Sequence, residues 1–231
     1  MKLSAIFLSG MLIGLPIAAE ALEPYDSSRS TEWLGVEKIQ PELAGIGEQV
    51  PDVIFRKLSG EESSLYQAAG LKGTVVVVRD PECPVSIRYG PRISRMARNY
   101  TSKGFSFVFI YLNNMATAED LVKDADQLYM KSIKAGKGSF AVAKAVGVRS
   151  TGDVFVLDKT HRLIYRGAID DQYGFGYTHE SPTHFYLRNA MEAVLKQWPV
   201  GISATLAPGC AIDADPANDP LVPLPPGGAL S

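Results

Sequence analysis

A run of β-branched residues that leads directly into a cysteine and a helix is the feature that most constrains the fold of this chain. Gly73-Thr-Val-Val-Val-Val78 is unbroken in this pattern, which is typical of a strand buried on both faces in a mostly parallel sheet. The strand ends at Arg79-Asp-Pro-Glu-Cys-Pro84, and apolar residues then recur at spacings of three and four up to Tyr100. This spacing predicts a helix, and Phe105 to Leu112 follows as a second buried strand. The chain therefore contains a strand-helix-strand unit of the kind from which α/β folds are built.

The remaining patterns extend this unit to a complete fold. They predict a first strand over Asp52–Leu58, a helix opened by a capping box at Thr117-Ala-Glu-Asp120 and running to about Ile133, a short helix over Ala141–Val146, a hairpin of Val154–Leu157 with Arg162–Tyr165, and a last helix that begins at Ser181-Pro182. Strand-helix-strand followed by hairpin-helix is the plan of the thioredoxin-like fold. The predicted class is therefore α/β, a three-layer α/β/α sandwich with a central mixed sheet.

The first 21 residues have the pattern of an export signal. Lys2 precedes an apolar stretch from Leu3 to Ala19, and Ala19-Glu-Ala21 offers the small-x-small pattern of a signal peptidase site. The alternative is a membrane anchor, but the stretch is shorter than the ~20 residues that span a bilayer and is broken by glycine and proline. The prediction is a periplasmic or secreted protein with no membrane association after signal cleavage.

Composition and turn residues suggest the domain boundaries. We expect a lead-in over residues 22–44, one thioredoxin-like domain over 45–199, and an extension over 200–231 that is proline-rich and disordered from about residue 213. The formal net charge is −2, with 23 basic and 25 acidic residues spread along the chain. No nucleic-acid partner is therefore expected. The sequence indicates no cofactor and no particular oligomeric state.

Cys83 is the residue with the strongest chemical signal. It lies where the buried strand passes into the helix, with Pro84 at the first helical position, where a missing N–H has no cost. Unsatisfied backbone N–H groups and the positive end of the helix dipole favour the thiolate there, and sites in α/β folds gather at this edge of the sheet. The alternative is that Cys83 is a small buried apolar side chain without chemistry.

Strand direction predicts which other residues share the edge with Cys83. The strand ending at Val78 runs toward Cys83, the strand from Val154 starts at that edge, and the loop Arg166–Tyr173 returns to it after the hairpin. Strand direction therefore gives Asp170, Asp171 and Tyr173 a role as the wall of the site. The other residues predicted to line it are Pro84, Ser86, Arg88 and Thr151. For each aspartate, the alternative role is to cap backbone N–H groups in the loop.

The chain contains two cysteines, Cys83 and Cys210. In an oxidising compartment an even count is compatible with a permanent structural disulfide. A soft ion such as copper(I) would suit a site made of Cys83, Cys210 and one of His179 or His184. Nothing in the spacing requires a metal, and the sequence leaves these possibilities open.

Several segments together resemble a known family. Asp80-Pro-Glu-Cys-Pro-Val-Ser-Ile-Arg-Tyr89, Phe105–Tyr111 and Val154–Asp158 are similar to the redoxin branch of the thioredoxin superfamily, which groups peroxiredoxins with periplasmic thiol-disulfide proteins. Tyr165-Arg-Gly-Ala-Ile-Asp-Asp-Gln-Tyr173 with Pro208-Gly-Cys-Ala-Ile212 resembles exported bacterial redoxin-domain proteins, and the similarity covers roughly residues 45–212. It implies a thiol-redox protein in which Cys83 is the catalytic nucleophile and acts on protein thiols or disulfides, with peroxide as the weaker alternative. By analogy with two-cysteine peroxiredoxins, Cys210 would be the resolving catalytic residue.

The sequence departs from the family pattern at three places. Ser86 stands where a Cys-x-x-Cys motif has its second cysteine, and a lone thiol cannot resolve a mixed disulfide locally. Asp80 stands where a peroxiredoxin has threonine or serine, and Ser150-Thr-Gly-Asp153 replaces the region of the family's cis-proline. The Asp80 carboxylate would repel a thiolate rather than help peroxide to react. The missing second cysteine and the missing proline favour the alternative function, a non-catalytic thioredoxin-fold binding module such as a copper-handling or cytochrome-assembly accessory.

Overall fold

A seven-stranded mixed sheet organises the part of the chain that the computed structural model describes, residues 35–112, 116–128, 134–137 and 140–212. The predicted signal peptide and the tail beyond residue 212 lie outside these residues. The strands are β1 (Ile54–Lys57), β2 (Glu62–Ser64), β3 (Gly73–Arg79), β4 (Phe105–Tyr111), β5 (Lys134–Lys137), β6 (Val154–Asp158) and β7 (Leu163–Gly167), in the order β2-β1-β5-β4-β3-β6-β7. Strand β3 is parallel to β4 and antiparallel to β6. A separate hairpin joins β8 (Tyr173–Gly174) to β9 (Tyr177–Thr178).

Helices cover both faces of the sheet, as predicted for an α/β/α sandwich. They are α1 (Pro84–Thr101), α2 (Ala118–Gln127), α3 (Phe140–Val146) and α4 (Tyr186–Lys196). Val75 and Val77 of β3 belong to the core that includes residues of α1, α2 and α4. Val76 and Val78 belong to the core on the opposite face, which includes residues of α3. Successive valines of β3 therefore belong to the cores on opposite faces of the sheet, which confirms that β3 is a central strand buried on both sides.

Two of the predicted helix termini are confirmed. Cys83 is the N-cap residue of α1, and Pro84 is its first helical residue. The capping box at the start of α2 is present, with the Thr117 hydroxyl accepting from the Asp120 N–H and the Asp120 carboxylate accepting from the Thr117 N–H. Both starts are set by local sequence, which is why the pattern identified them.

Two other termini were predicted wrongly. Helix α2 ends at Gln127, before the predicted Ile133, although residues 129–133 lie outside the described part of the chain. Helix α4 begins at Tyr186 rather than at Ser181-Pro182. Asp171 accepts hydrogen bonds from the backbone N–H groups of Thr183 and His184, so these groups serve a loop contact and the helix starts only after them.

Short segments that the sequence did not predict complete the sheet. Strands β2 and β5 have only three and four residues, too few to show a hydrophobic alternation. Residues 203–206 extend the sheet beyond β7, where the Arg166 N–H donates to Ser203 O at 3.0 Å and the Thr205 N–H donates to Arg166 O at 3.1 Å. On their other side the Ile39 N–H donates to Ala204 O at 3.0 Å. Parts of the predicted lead-in and extension therefore pair with each other along the sheet edge.

Among the described residues, no helix is long and apolar enough to cross a membrane.

Candidate active site

Cys83 lies at the carboxyl edge of the sheet, in a turn that its neighbours fix. The Asp80 carboxylate accepts a hydrogen bond from the Glu82 N–H at 2.9 Å, and the Ser86 hydroxyl accepts one from the Asp80 N–H at 3.0 Å. The carbonyl of Cys83 accepts from the Ile87 N–H at 2.9 Å, which begins the hydrogen-bond ladder of α1. Cys83 is only 1% exposed, so its sulfur is held in a closed site at the start of the helix.

The sulfur of Cys83 contacts Cys210 and Thr151. The two cysteine Sγ atoms are 2.9 Å apart, and the Thr151 hydroxyl donates to Cys83 Sγ, also at 2.9 Å. The same hydroxyl oxygen accepts a hydrogen bond from the Cys210 N–H at 3.0 Å. Both cysteines are free thiols in this structure. The fold therefore brings the only two thiols of the chain together in the reduced state, with Thr151 bridging them.

The two thiols are electrostatically unequal. Burial raises the pKa of Cys83, but hydrogen bonds from Cys210, Thr151 and the backbone N–H groups of Ser86 and Cys210 outweigh it, so that this pKa lies below its ordinary value. The hydrogen bond to Cys83, together with desolvation, raises the pKa of Cys210 to about 11. Cys83 therefore loses its proton more readily than Cys210, and the thiolate is the nucleophilic form of cysteine.

A buried aspartate holds the turn that carries Thr151. The Asp153 carboxylate accepts from the backbone N–H groups of Arg149 and Ser150, at 2.7 and 2.9 Å. Burial raises the pKa of Asp153. Among the described residues there is no cis peptide bond, so Thr151 sits in a trans backbone where the resemblance leads one to look for a cis-proline. At this position the turn provides the Thr151 hydroxyl, which donates a hydrogen bond to Cys83 Sγ.

The loop after β7 is built differently from the Thr151 turn. Asp170 is 1% exposed and accepts from the Tyr89 hydroxyl at 2.8 Å and from Arg92 of α1. Burial raises the pKa of Asp170. Tyr173 packs edge-on against Tyr89 at 4.9 Å between ring centroids, and Arg88 lies over its ring at 5.7 Å. The loop thus joins the outer part of α1, while Thr151 and Cys210 contact the sulfur.

Asp171 takes the backbone-capping role that the sequence left open as the alternative. Its carboxylate accepts from the Thr183 hydroxyl at 2.6 Å and from the Thr183 and His184 N–H groups at 2.8 and 2.9 Å. Burial raises the pKa of Asp171, but the hydrogen bonds from Thr183 and His184 outweigh it, so the net direction is downward. Asp171 therefore anchors the segment that leads into α4.

The structure does not assemble the candidate copper site. His184 Nδ1 lies 2.9 Å from the Asp171 carboxylate, and the His179 ring lies against Tyr177, with centroids 4.8 Å apart. In the described ranges, no group of three or more His, Cys, Asp or Glu side chains is arranged to hold a metal ion. Cys83 and Cys210 lie together without a histidine.

A buried charge network below the first turn of α1 was missed at the level of sequence. Arg79, at the end of β3, is 2% exposed and donates to Asp124 Oδ1 at 2.6 Å and to the carbonyl of Ser86. The Tyr111 hydroxyl donates to Asp124 Oδ2 at 2.7 Å. An arginine that ends an otherwise apolar buried strand was the available signal, because such a charge requires a partner. Through Ser86, the network ties the start of α1 to β4 and α2.

The sequence and the overall fold are similar to those of known proteins. The redoxin family model matches residues 46–177, more than half of the chain. An uncharacterized conserved protein from Geobacillus kaustophilus is 26% identical, with a TM-score of 0.65 over 79% of this chain and 97% of its own. A hypothetical protein from Sinorhizobium meliloti is also 26% identical, with a TM-score of 0.64 over 77% of this chain and 96% of its own.

A putative thiol:disulfide interchange protein DsbE from Chlorobium tepidum shares the fold at 16% identity, with a TM-score of 0.52 over 65% of this chain and 97% of its own. No curated protein sequence gives a significant match. The similar fold and the extent of the family match agree with one another. The chain belongs to the redoxin family.

Proposed function

We propose that this chain is a thiol-disulfide oxidoreductase that acts on protein thiols or disulfides, with Cys83 as nucleophile and Cys210 as resolving cysteine. The observation that carries the proposal is the 2.9 Å separation of the two Sγ atoms, with the Thr151 hydroxyl hydrogen-bonded to both residues. Ser86 of α1 stands where a Cys-x-x-Cys motif has its second cysteine and has no thiol. Cys210, in the C-terminal segment, provides the second thiol instead.

The thiol-disulfide exchange requires no reacting group of the protein other than the thiols of Cys83 and Cys210. The Cys83 thiolate attacks one sulfur of a substrate disulfide, a Cys83–substrate disulfide forms, and the other substrate sulfur leaves with the electron pair as a thiolate. Cys210 then loses its proton and attacks Cys83 Sγ, which releases the second substrate thiolate. The substrate gains two electrons and the protein ends with a Cys83–Cys210 disulfide, which a dithiol partner must reduce. The same steps in reverse oxidise a substrate dithiol.

The pKa order supports these roles. The lowered pKa of Cys83 and the raised pKa of Cys210 make Cys83 the thiol that is more readily converted to the attacking thiolate. The Cys210 pKa of about 11 depends on its hydrogen bond to Cys83. When Cys83 enters a mixed disulfide it no longer carries the negative charge that holds the Cys210 proton. Cys210 therefore becomes easier to deprotonate at the step where it must attack.

Peroxide is the less favoured substrate. The position three residues before Cys83 is Asp80, whose carboxylate accepts from the Glu82 N–H, and a carboxylate offers an acceptor where peroxide chemistry needs a donor.

Export forms part of the proposal, supported by the signal-like pattern of residues 1–21. A periplasmic or extracellular site of action would supply the oxidised protein substrates that the chemistry requires. Fractionation of cells expressing the full chain, with sequencing of the mature N-terminus, tests it. Recovery of the uncleaved chain in the cytosolic fraction would overturn it.

Mixed-disulfide trapping is the experiment that decides the thiol chemistry. We expect the reduced protein to reduce the disulfides of insulin while forming the Cys83–Cys210 disulfide, detected by mass spectrometry. Cys210→Ser should instead accumulate a Cys83–insulin adduct, and Cys83→Ser should form neither product. If Cys210→Ser traps nothing, the proposal is wrong. Copper retained through dialysis by the wild type and lost in Cys83→Ser would support the binding-module alternative.

A further inference from the structure

The C-terminal segment that carries Cys210 is bound as an added strand. Residues 207–212, which we call the strap, pair antiparallel with the turn 149–151 through a bridge between Ser150 and Ala211. The Thr151 N–H donates to Cys210 O at 2.9 Å, and the Ile212 N–H donates to Arg149 O at 3.1 Å. The strap therefore uses the backbone donor of Thr151 and the backbone acceptor of Arg149, as a peptide does when it adds to a sheet edge.

Two glycines allow this close approach. A Cβ atom on Gly152 would lie 1.9 Å from the carbonyl oxygen of Pro208, and one on Gly209 would lie 2.7 Å from the backbone nitrogen of Gly152. Gly209 also has a φ of +153°, which side-chain-bearing residues rarely adopt. The strap and the turn therefore cross backbone to backbone, and any added side chain at this crossing must lift the strap.

The strap also closes the site. Cys83 is 1% exposed, whereas Cys210 on the strap is exposed. The nucleophile, with its lowered pKa, is thus the less accessible thiol, and the sulfur open to solvent is the one with the raised pKa. A macromolecular disulfide can reach Cys83 only if the strap moves.

The strap and the residues that precede it are attached to the rest of the protein in different ways. The preceding residues 203–206 are held on both sides, by Arg166 of β7 and by Glu37 and Ile39, and the Thr205 hydroxyl accepts from the Ala168 N–H at 2.9 Å. The strap itself depends on the turn 149–151 for its backbone pairing. Loss of the pairing with residues 149–151 would release the strap while the backbone hydrogen bonds of residues 203–206 remain.

We propose that the strap is a built-in occupant of a peptide-binding edge, and that an extended segment of a partner protein, bearing a disulfide-bonded cysteine, displaces it from residues 149–151. The displacing segment takes over the Thr151 N–H and the Arg149 carbonyl and presents its sulfur to Cys83. The Cys83 thiolate forms a disulfide with that sulfur, and the second partner sulfur leaves as thiolate. The strap then rebinds and Cys210 resolves the adduct. This proposal rests on the thiol-exchange function proposed above.

The test uses the full chain with Cys210→Ser, so that Cys83 is the single thiol. Three disulfide probes are compared: the small reagent 5,5′-dithiobis(2-nitrobenzoate), a ten-residue peptide whose central cysteine is activated with thionitrobenzoate, and the same peptide N-methylated on the second residue after the cysteine, the position that corresponds to Ile212. The N-methylated peptide has the same sulfur chemistry but cannot donate backbone hydrogen bonds there. Thionitrobenzoate release gives the rate of attack by Cys83.

Gly209→Ala weakens strap binding without changing the turn, because its added Cβ would lie 2.7 Å from the backbone nitrogen of Gly152; Gly201→Ala is the matched control, because a Cβ there meets no atom within 4 Å. We expect Gly209→Ala to accelerate the reaction of the unmodified peptide roughly five- to tenfold over the control, the factor that corresponds to losing one or two backbone hydrogen bonds. The N-methylated peptide should gain at most about half of that factor, since it cannot donate to Arg149 O. Ile212→Pro, which removes the donor to Arg149 O, should act in the same direction if Gly209→Ala is poorly folded.

The outcomes separate the two proposals. Equal acceleration of both peptides, or acceleration of neither in both variants, would overturn the strap proposal and leave thiol exchange intact. Failure of Cys83 to react with the small reagent in every folded variant would overturn the proposed function itself.

Discussion

The turn that carries Thr151 and the loop that carries Asp170 reach the same edge of the sheet, yet only the turn supplies contacts to Cys83. Thr151 places its hydroxyl between Cys83 Sγ and the Cys210 N–H. In the loop, Asp170 binds Tyr89 and Arg92, and Asp171 binds Thr183 and His184. Polar residues at a shared edge thus divide into a group that faces the reactive sulfur and a group that fixes the surrounding helices. Substitutions should separate these effects cleanly.

The largest effect is expected from Cys83→Ser. It removes the attacking sulfur, so reduction of a protein disulfide should fall to the uncatalysed background. The rate is measured with insulin as substrate and a dithiol as final reductant. Cys210→Ser is the comparison variant, because it should still form the first mixed disulfide. Exchange above background in Cys83→Ser would mean that the Thr151 turn is not the reactive region.

Asp170→Ala should affect folding rather than thiol chemistry. It removes the carboxylate that the Tyr89 hydroxyl and Arg92 share, and leaves Tyr89 with the Asp170 carbonyl at 3.3 Å and Arg92 with Gln172. We expect the free energy of unfolding to fall by roughly 2–3 kcal/mol, moderated by these remaining contacts and by the partial exposure of Arg92. Urea denaturation measures this change. The pH midpoint of Cys83 alkylation should stay that of the wild type. A shifted midpoint would show that the loop and the Thr151 turn act as one unit.

Thr151→Val should affect thiol chemistry rather than folding. Loss of the hydroxyl removes a hydrogen bond that lowers the pKa of Cys83, so less thiolate is present at neutral pH. We expect the midpoint of Cys83 alkylation against pH to rise by up to about one unit, the equivalent of a net hydrogen bond. Thr151→Ser keeps a hydroxyl and should restore most of the shift. An unchanged midpoint in Thr151→Val would remove Thr151 from the site.

The smallest effect is expected from Thr183→Val, which removes one donor to Asp171 and leaves both backbone donors. The free energy of unfolding should fall by about 1 kcal/mol at neutral pH. The folded-state pKa of Asp171 is lowered, so this stabilisation is present above the unfolded pKa and is lost as pH falls through the folded value. The difference between variant and wild type should therefore shrink in acid. A constant difference would assign the loss to packing.

The features predicted from sequence are those that local pattern determines. The valines of β3 and the Cys-Pro start of α1 specify a buried strand and a capped helix without reference to the rest of the chain. Strand β5 escaped prediction because Lys-Ala-Gly-Lys shows no hydrophobic period. Its strand conformation comes from pairing with β4 and β1, which are distant in sequence.

Within the site, too, some features could be predicted from the sequence and others depend on contacts between distant parts of the chain. Strand direction predicted that the loop of Asp170 and Asp171 reaches the edge of Cys83, and analogy with the family suggested the region of Thr151 and Cys210. The double role of the Thr151 hydroxyl depends on the path of the strap, however, and the Gly152–Gly209 crossing depends on two backbones that meet only in the folded chain. The sequence predicted the correct edge of the sheet for Asp170 and Asp171. It did not predict their hydrogen-bond partners on α1 and before α4, because tertiary packing determines those contacts.

The attachment of residues 203–206 to β7 links the redox equilibrium of the protein to its conformational stability. Cys83 and Cys210 are 127 positions apart, so in the unfolded chain their thiols meet only at a large cost in chain entropy. The fold replaces that cost with a high effective concentration of one thiol at the other. By thermodynamic linkage, a disulfide that stabilises the native state is itself stabilised by the native state to the same degree. Substitutions that weaken the pairing of Thr205 with Arg166, far from either sulfur, should therefore make the dithiol form easier to maintain.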